Sequence, residues 1–507
     1  VVVLENAQKL VAEAEVTEIG HGSTAMDRVV GMCGSQYTGS PSACTWPAER
    51  ITVGVRAARA DPPSPRAADP MRTGSARRGD PVARILLPAR PGPAKLRRPL
   101  RIHHPATPSA TLSIPEAQAH GDALHGLRVL DLSRVLAGPL CTMVLGDLGA
   151  DVLKVERPGT GDETRQWGPP WATGADGARE SAYYLCANRN KRSILADLQD
   201  PADRGRVRML AGEADVLVEN FAPGTMERFG LGYSELAARN PRLVFCAITG
   251  YGSEGRDAGR PGYDFAVQAR AGWMATTGQP DGAPVKVGFA LADVLTGQNA
   301  AIAILAALRE RERSGRGQRV EVSLYDSALA GLVNVAQAAL VTGEEPVRYG
   351  NAHPTIVPYQ AFEAADRPFV VAVGNDAQWR RLCRVLDRAE LADDERFAIN
   401  PGRVENRAEL AALLASEFAN ADSASWIERL EAAGVPCAPV QTVREALADE
   451  AARGRAVIWP MGSPSFGRTE TVASPIRLAR TPASLRRPPP ALGEHDDAIG
   501  RTGWPSD

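Results

Sequence analysis

Residues 127–156 read LRVLDLSRVLAGPLCTMVLGDLGADVLKVE, and this stretch decides the fold. "LRVLDL" is a short apolar run fit for a buried strand, "GPLCTMVLGDLGA" has helical spacing and ends on Gly, and "DVLKVE" is a second strand. The cycle repeats downstream: a helix near 202–212, a strand in "DVLVEN" at 215–220, helical turns through "MERFG" and "YSELAARN", and a strand in "RLVFCAI" at 242–248. Strands separated by helices predict right-handed βαβ units and a parallel, doubly wound, Rossmann-like sheet of the α/β class. Such sheets bind ligands at the carboxyl ends of their strands. Those ends fall at 133–139, 156–161, 220–224 and 249–255.

Outward from this core the composition changes. Before about residue 122 the chain is rich in Pro and Arg and lacks sustained hydrophobic periodicity, so 1–121 cannot bury enough surface to fold alone. A targeting peptide or a nucleic-acid arm could look like this; a disordered tail or an over-extended reading frame is the preferred reading. The large domain is expected over 122–340. A smaller α+β domain follows over 341–440, with the strand "PFVVAVG" and the helices "DAQWRRLCRVLD" and "SASWIERLEAAG". The segment 441–507 is expected to return to the large domain.

The bulk numbers exclude several classes. The chain has 507 residues, 44% hydrophobic content and a formal net charge of -2, which offers no broad attraction for nucleic acid or an anionic membrane. Its seven cysteines include no CxxC pair, and its seven histidines do not combine with them at metal-ligand spacing. No metal is expected, and the thiols read as reduced in a cytoplasmic, soluble protein. The uncharged run 294–308 is short and Ala-rich for a membrane span.

The candidate chemistry is sparse. "TGYGSEG" places Gly250, Gly252 and Gly255 in GxGxxG spacing, but "RDAGRPGYD" follows where a nicotinamide fingerprint would open a helix, so a strand-to-loop exit is the better reading. No Ser or Cys lies in a GxSxG elbow. A nucleophile needing no base is therefore required, and a carboxylate qualifies, since its reference pKa is about 3.9. Asp293, near the start of the apolar run "GFALADVLTGQNAAIAILAAL" at 288–308, lies at or beside a helix N-cap, where orphan N–H groups and the macrodipole favour the anion. Helix cap and nucleophile are both open readings of that position. Arg157, Lys191, Arg192 and Arg228 cluster near predicted strand exits and suit a phosphate-bearing ligand.

Taken in order, "LRVLDLSRVLAGP", "GADVLKVERPGTGD", "NRNKRSILADL", "DVLVENFAPGTMERFG", "GYDFAVQARAGWM", "ADVLTG", "GRGQRVEVSLYD" and "LGEHDDAIG" resemble the family III CoA-transferases, also called the CaiB/BaiF family, over about 125–500. The resemblance implies an acyl-CoA:carboxylate CoA-transferase with coenzyme A as substrate and no permanently bound cofactor. It makes Asp293 the catalytic carboxylate, passing through an aspartyl mixed anhydride and an aspartyl-CoA thioester. It also implies an interlocked homodimer and puts Leu136, Ala137, Arg157, Asn220, Phe221 and Arg228 at CoA-contacting positions. Gln199 stands where some members have a Lys.

The family's racemase branch, the alternative activity, uses a His before the Asp of "GHD"; here Tyr263 precedes Asp264, and a phenol with reference pKa near 10 is a poor base at neutral pH. The stretch "RYGNAHPTIVPYQAF", with Gly350 and Asn351, occupies the place of a glycine-rich lid in some members; His353 replaces the bare glycine run, in a form that resembles the dicarboxylate branch, of the succinyl-CoA:glutarate type. His353 either holds a distal carboxylate or caps a loop of the small domain. Ala290, Ala292, Gly297 and Ala300 are expected to let the CoA arm approach Asp293, whose charge backbone N–H groups are expected to hold.

Overall fold

The computed structural model describes residues 122–175, 177–499 and 504. Expectations for 1–121, including Cys33 and Cys44, lie outside them.

Six short strands form the central sheet: β1 (Arg128–Asp131), β2 (Asp151–Glu156), β3 (Lys191–Leu195), β4 (Val216–Glu219), β5 (Val244–Thr249) and β6 (Arg319–Ser323). Their spatial order is β3-β2-β1-β4-β5-β6, and every neighbouring pair is parallel. The order reverses between β1 and β4. That crevice is the topological switch point, where doubly wound sheets place their ligands.

Alternation along the strands feeds two apolar layers. Val129, Val152, Val216, Val218 and Ile248 face one layer, while Leu130, Leu153, Leu217 and Phe245 face the other. The first layer is covered by α1 (Ala137–Asp147) and, further along the chain, by the helix beginning at Leu291; the second is covered by α2 (Pro201–Glu213) and by Ile499 and Trp504. Further helices are α3 (Asp264–Arg270), α4 (Leu291–Ser314), α5 (Leu324–Gly331) and α6 (Val333–Thr342). By length and composition α4 could cross a membrane. In the fold its Ala292, Gly297, Ala300 and Ile304 are buried on α1 and the sheet.

Beyond α6 a three-stranded antiparallel sheet, ordered β9-β8-β7, is built from β7 (Tyr359–Glu363), β8 (Pro368–Ala372) and β9 (Cys437–Pro439). The helices α7 (Asp376–Val385), α8 (Arg407–Phe418) and α9 (Ser423–Ala432) pack on it around Trp379, Phe369 and Phe418. The chain then forms a hairpin, β10 (Ile458–Ser463) and β11 (Gly467–Val472), and returns to the large sheet. There Asp496 Oδ1 accepts from Leu195 N–H at 3.1 Å and the His495 N–H donates to the Ser193 carbonyl at 2.9 Å, so the tail covers the edge strand β3.

Two readings of the sequence are overturned. Lys191 and Arg192 open β3 rather than ending it. Lys191 is fully buried, 3.1 Å from Asp131, and Arg192 pairs with Asp151 at the start of β2, so neither stands at a strand exit to meet a phosphate.

Candidate active site

At the carboxyl ends of β1 to β4 lies a cavity of about 790 Å³ lined by Arg134, Arg157, Trp167, Gln199, Phe221 and Arg228, among others. Its position follows from the strand order. Arg157 and Arg228 are exposed, and Arg228 donates to Thr225 Oγ1 at 2.9 Å, which leaves most of its guanidinium free to turn toward an anion. Arg134 lies over the Phe221 ring at 5.1 Å, joining an aromatic face to a positive charge. Phosphate and heterocycle both find partners in such a cavity.

The other expected CoA contacts stand beside this cavity rather than around it. Asn220 accepts from the Arg134 N–H at 2.9 Å and donates to the Arg134 carbonyl at 2.7 Å, so it staples the loops after β1 and β4 together. Leu136 is the N-cap of α1, and Ala137, only 3% exposed, belongs to the core. The Ala137 carbonyl faces α4, where a methyl built on Gly297 would come within 2.6 Å of its oxygen. Gly297, Ala292 and Ala300 therefore serve helix packing and are buried, which corrects the expectation that they admit the CoA arm.

Asp293 sits in the first turn of α4, whose N-cap is Ala290 and lacks a side-chain cap. Asp264 takes the capping role from a distance: its Oδ1 accepts from the Ala292 N–H at 2.8 Å and from the Asp293 N–H at 3.4 Å. Gln268 fixes Asp264 in turn, donating to Oδ2 at 2.7 Å while accepting from the Val287 N–H at 2.9 Å. The Leu291 N–H goes to the Phe289 carbonyl and the Val294 N–H to the Ala290 carbonyl. No first-turn N–H remains for the Asp293 carboxylate, so the expected backbone stabilisation does not occur. Burial, reinforced by the nearby Asp264 charge, instead pushes Asp293 up to about 7.

That shift changes the chemistry of Asp293. No arginine or lysine pairs with it among the described residues, and an unpaired carboxylate of higher basicity is a better nucleophile. The rate should follow its anion: kcat/KM rises about tenfold per pH unit up to roughly pH 7 and then levels off. Asp264→Asn keeps an acceptor for the helix N–H groups but removes the neighbouring charge. Its pH–rate profile should move toward acid, and a limb that does not move would detach Asp264 from the titration.

Sequence reasoning missed Tyr183. Burial and the Asp293 and Asp264 charges raise its phenol to about 12, which keeps the hydroxyl protonated beside the carboxylates, and its ring meets Trp167 of the cavity edge-on at 5.1 Å. It stands between the cavity and Asp293 through tertiary proximity, and no local pattern marks it. Asp162 was also missed, although an Asp before "ETRQ" is a helix-cap signal.

The remaining candidates separate. Tyr263, next to Asp264, is exposed. Gly350 adopts a left-handed φ of 61° and donates to the Gly278 carbonyl at 3.1 Å, and Asn351 is exposed. His353 Nδ1 accepts from the Thr355 N–H at 3.2 Å, and its ring meets Tyr359 at 5.4 Å, the geometry of a loop cap in the small sheet's approach. Glu321 holds Ser253 through its N–H and hydroxyl, securing the loop after β5, whose residues 250–263 form turns rather than a helix.

Residues 124–496 match the family model described as CoA-transferase family III. The succinate–glutarate CoA-transferase of Agrobacterium fabrum is 42% identical over 390 residues, which cover 75% of this chain and 98% of that one. The succinyl-CoA:mesaconate CoA-transferase of Haloarcula hispanica is 42% identical over 378 residues, covering 74% and 94%. The crystal structure of a CAIB/BAIF family protein from Brucella suis superposes with a TM-score of 0.68 at 43% identity, covering 75% of this chain and 99% of that one.

Proposed function

Because the chain belongs to CoA-transferase family III and is an acyl-CoA:carboxylate CoA-transferase, we propose that it moves CoA from succinyl-CoA to a second dicarboxylic acid, with Asp293 as the nucleophile. The observation that carries the role of Asp293 is its place at the head of α4 with no basic partner and a carboxyl raised to about 7. The dicarboxylate class is supported by the two curated relatives, whose names pair succinate or succinyl-CoA with glutarate or mesaconate.

The steps balance without an external energy source. An Asp293 oxygen attacks the thioester carbonyl, the C–S bond breaks, and an acyl-aspartyl anhydride and CoA thiolate result. The thiolate attacks the aspartyl carbonyl, the anhydride C–O bond breaks, and the donor acid leaves as a carboxylate. The acceptor carboxylate then attacks the aspartyl thioester and releases thiolate. That thiolate attacks the acceptor's acyl carbonyl, yielding the new acyl-CoA and free Asp293. Water competes at each activated carbonyl, so the site must exclude it.

A mass-resolved assay of succinyl-CoA with a panel of free mono- and dicarboxylic acids identifies the acceptor; exchange confined to monocarboxylates would sink the dicarboxylate reading. The racemase reading needs a second proton-exchanging group, and the exposed Tyr263 is a poor candidate. For the cavity, Arg157→Ala and Arg228→Ala should each weaken CoA binding about tenfold, the worth of one charge-assisted phosphate contact. Calorimetric titration with CoA is the check, and unchanged affinity in both would move the phosphates elsewhere.

Association of two copies also belongs to this reading. The apolar helix α6 has no buried residue, with Val333, Leu340 and Val341 at least 70% exposed, as expected of a face that a second copy covers. Light scattering should give twice the chain mass. The five described cysteines are free thiols, which suits a cytoplasmic setting.

A further inference from the structure

Between the cavity and α1, which packs against the nucleophile helix α4 at Gly297, lies a three-residue link, Arg134–Val135–Leu136, with Arg134 on the cavity wall and Leu136 capping α1. Its middle residue holds φ at 69°. A β-branched side chain in the left-handed region is a genuine outlier, and it persists only where the surroundings over-determine it.

The surroundings that do so converge on one side chain. Asp162, 1% exposed, accepts from the Val135 N–H with both oxygens, at 3.2 and 3.3 Å. It also accepts from the Thr164 N–H at 3.0 Å and hydroxyl at 2.8 Å, and Lys154 Nζ lies 3.0 Å away. Lys154, itself fully buried, donates to the Ser133 carbonyl at 2.8 Å and so grips the same link from its other end. The Asp162 N–H donates to Glu156 at 3.0 Å, which ties the arrangement to the end of β2 next to Arg157.

We propose that Asp162 is a positioning residue for the transfer reaction: by holding Val135 left-handed, it fixes the offset between the CoA cavity and the helix that carries Asp293. The offset is rigid downstream because the Ala137 carbonyl is packed against Gly297, one turn beyond Asp293. A relaxed Val135 would rotate Arg134 and the head of α1 against each other, and attack on a thioester tolerates about an ångström of such error. The inference rests on the cavity being the CoA site.

The test is a rescue. Asp162→Ala should lower kcat/KM for acyl-CoA by at least about tenfold, and Asp162→Asn, which keeps one oxygen for the Val135 amide, should lose less. Adding Val135→Gly to Asp162→Ala should recover most of the loss, because glycine adopts the left-handed backbone without an enforcing carboxylate. A purely structural ion pair with Lys154 gives no such recovery. If Asp162→Ala fails to fold because the buried Lys154 loses its ion-pair partner, the same comparison is made with Lys154→Met added, which removes that charge. Unrescued or additive losses overturn the positioning role. Failure of the cavity reading has a different signature, unchanged CoA affinity in Arg157→Ala and Arg228→Ala.

Discussion

Asp293→Asn should abolish transfer, by at least about a thousandfold in kcat, and at the same time make the protein more stable above neutral pH. The activity loss follows from removing the attacking oxygen, and the carboxylates Asp264 and Glu321 are already engaged, Asp264 with the α4 N–H groups and Gln268, and Glu321 with Ser253. The stability gain follows from linkage. Asp293 rises from the ordinary 3.8 to about 7 in the folded chain, so between those values the unfolded chain releases its proton first and folding weakens as pH rises. At full strength such a shift is worth ~4 kcal/mol; for a half-buried group, screening leaves about 1–2 kcal/mol. Asparagine carries no such penalty. Thermal melts should show the variant higher by a few degrees at pH 8 and level with the parent below pH 4. Near wild-type turnover, or a modified residue other than Asp293 after hydroxylamine trapping, would move the nucleophile.

Lys191→Met should cost about 3–5 kcal/mol of stability, the usual result of leaving one member of a buried ion pair alone. Lys191 and Asp131 are both fully buried, and Lys191 also donates to the Pro139 carbonyl at 2.9 Å and to Asn188 at 3.0 Å. Burial by itself would raise Asp131; Lys191, Lys154 and hydrogen bonds from Ser133 and Thr142 overcome it and hold the carboxyl down to about 2. Without Lys191, Lys154 is the cation that remains near the buried Asp131. Denaturant unfolding measures the loss, and CoA titration of the folded variant should match the parent. A specific fall in CoA affinity with stability intact would restore Lys191 to the phosphate site.

These two residues show how far local patterns reach. Asp293 was legible because an aspartate leading a long apolar helix is unusual, and an ordered series of family motifs surrounds it. Lys191 was misplaced because "NRNKRS" read as a strand exit, while the strand begins at the lysine itself and points its ammonium under α1. Arg157 and Arg228 were singled out as basic residues after strands that share one edge, and Phe221 by the family resemblance; all three line the cavity. His353 was left open between a carboxylate ligand and a loop cap; its bond to the Thr355 N–H gives it the cap's geometry.

The sequence by itself determined the parallel α/β sheet, the edge at which the cavity opens and the carboxylate at the head of α4. Periodicity and chain order carry that information, since apolar spacing sets each element and alternating strands and helices limit the winding. Only the tertiary structure decided the electrostatics. Which N–H groups Asp264 occupies, how far burial raises Asp293, and why Val135 is held left-handed by Asp162 depend on residues 27 to 29 positions apart meeting within hydrogen-bond distance. Contacts of that range come from packing elements together, and no window of local sequence contains both partners.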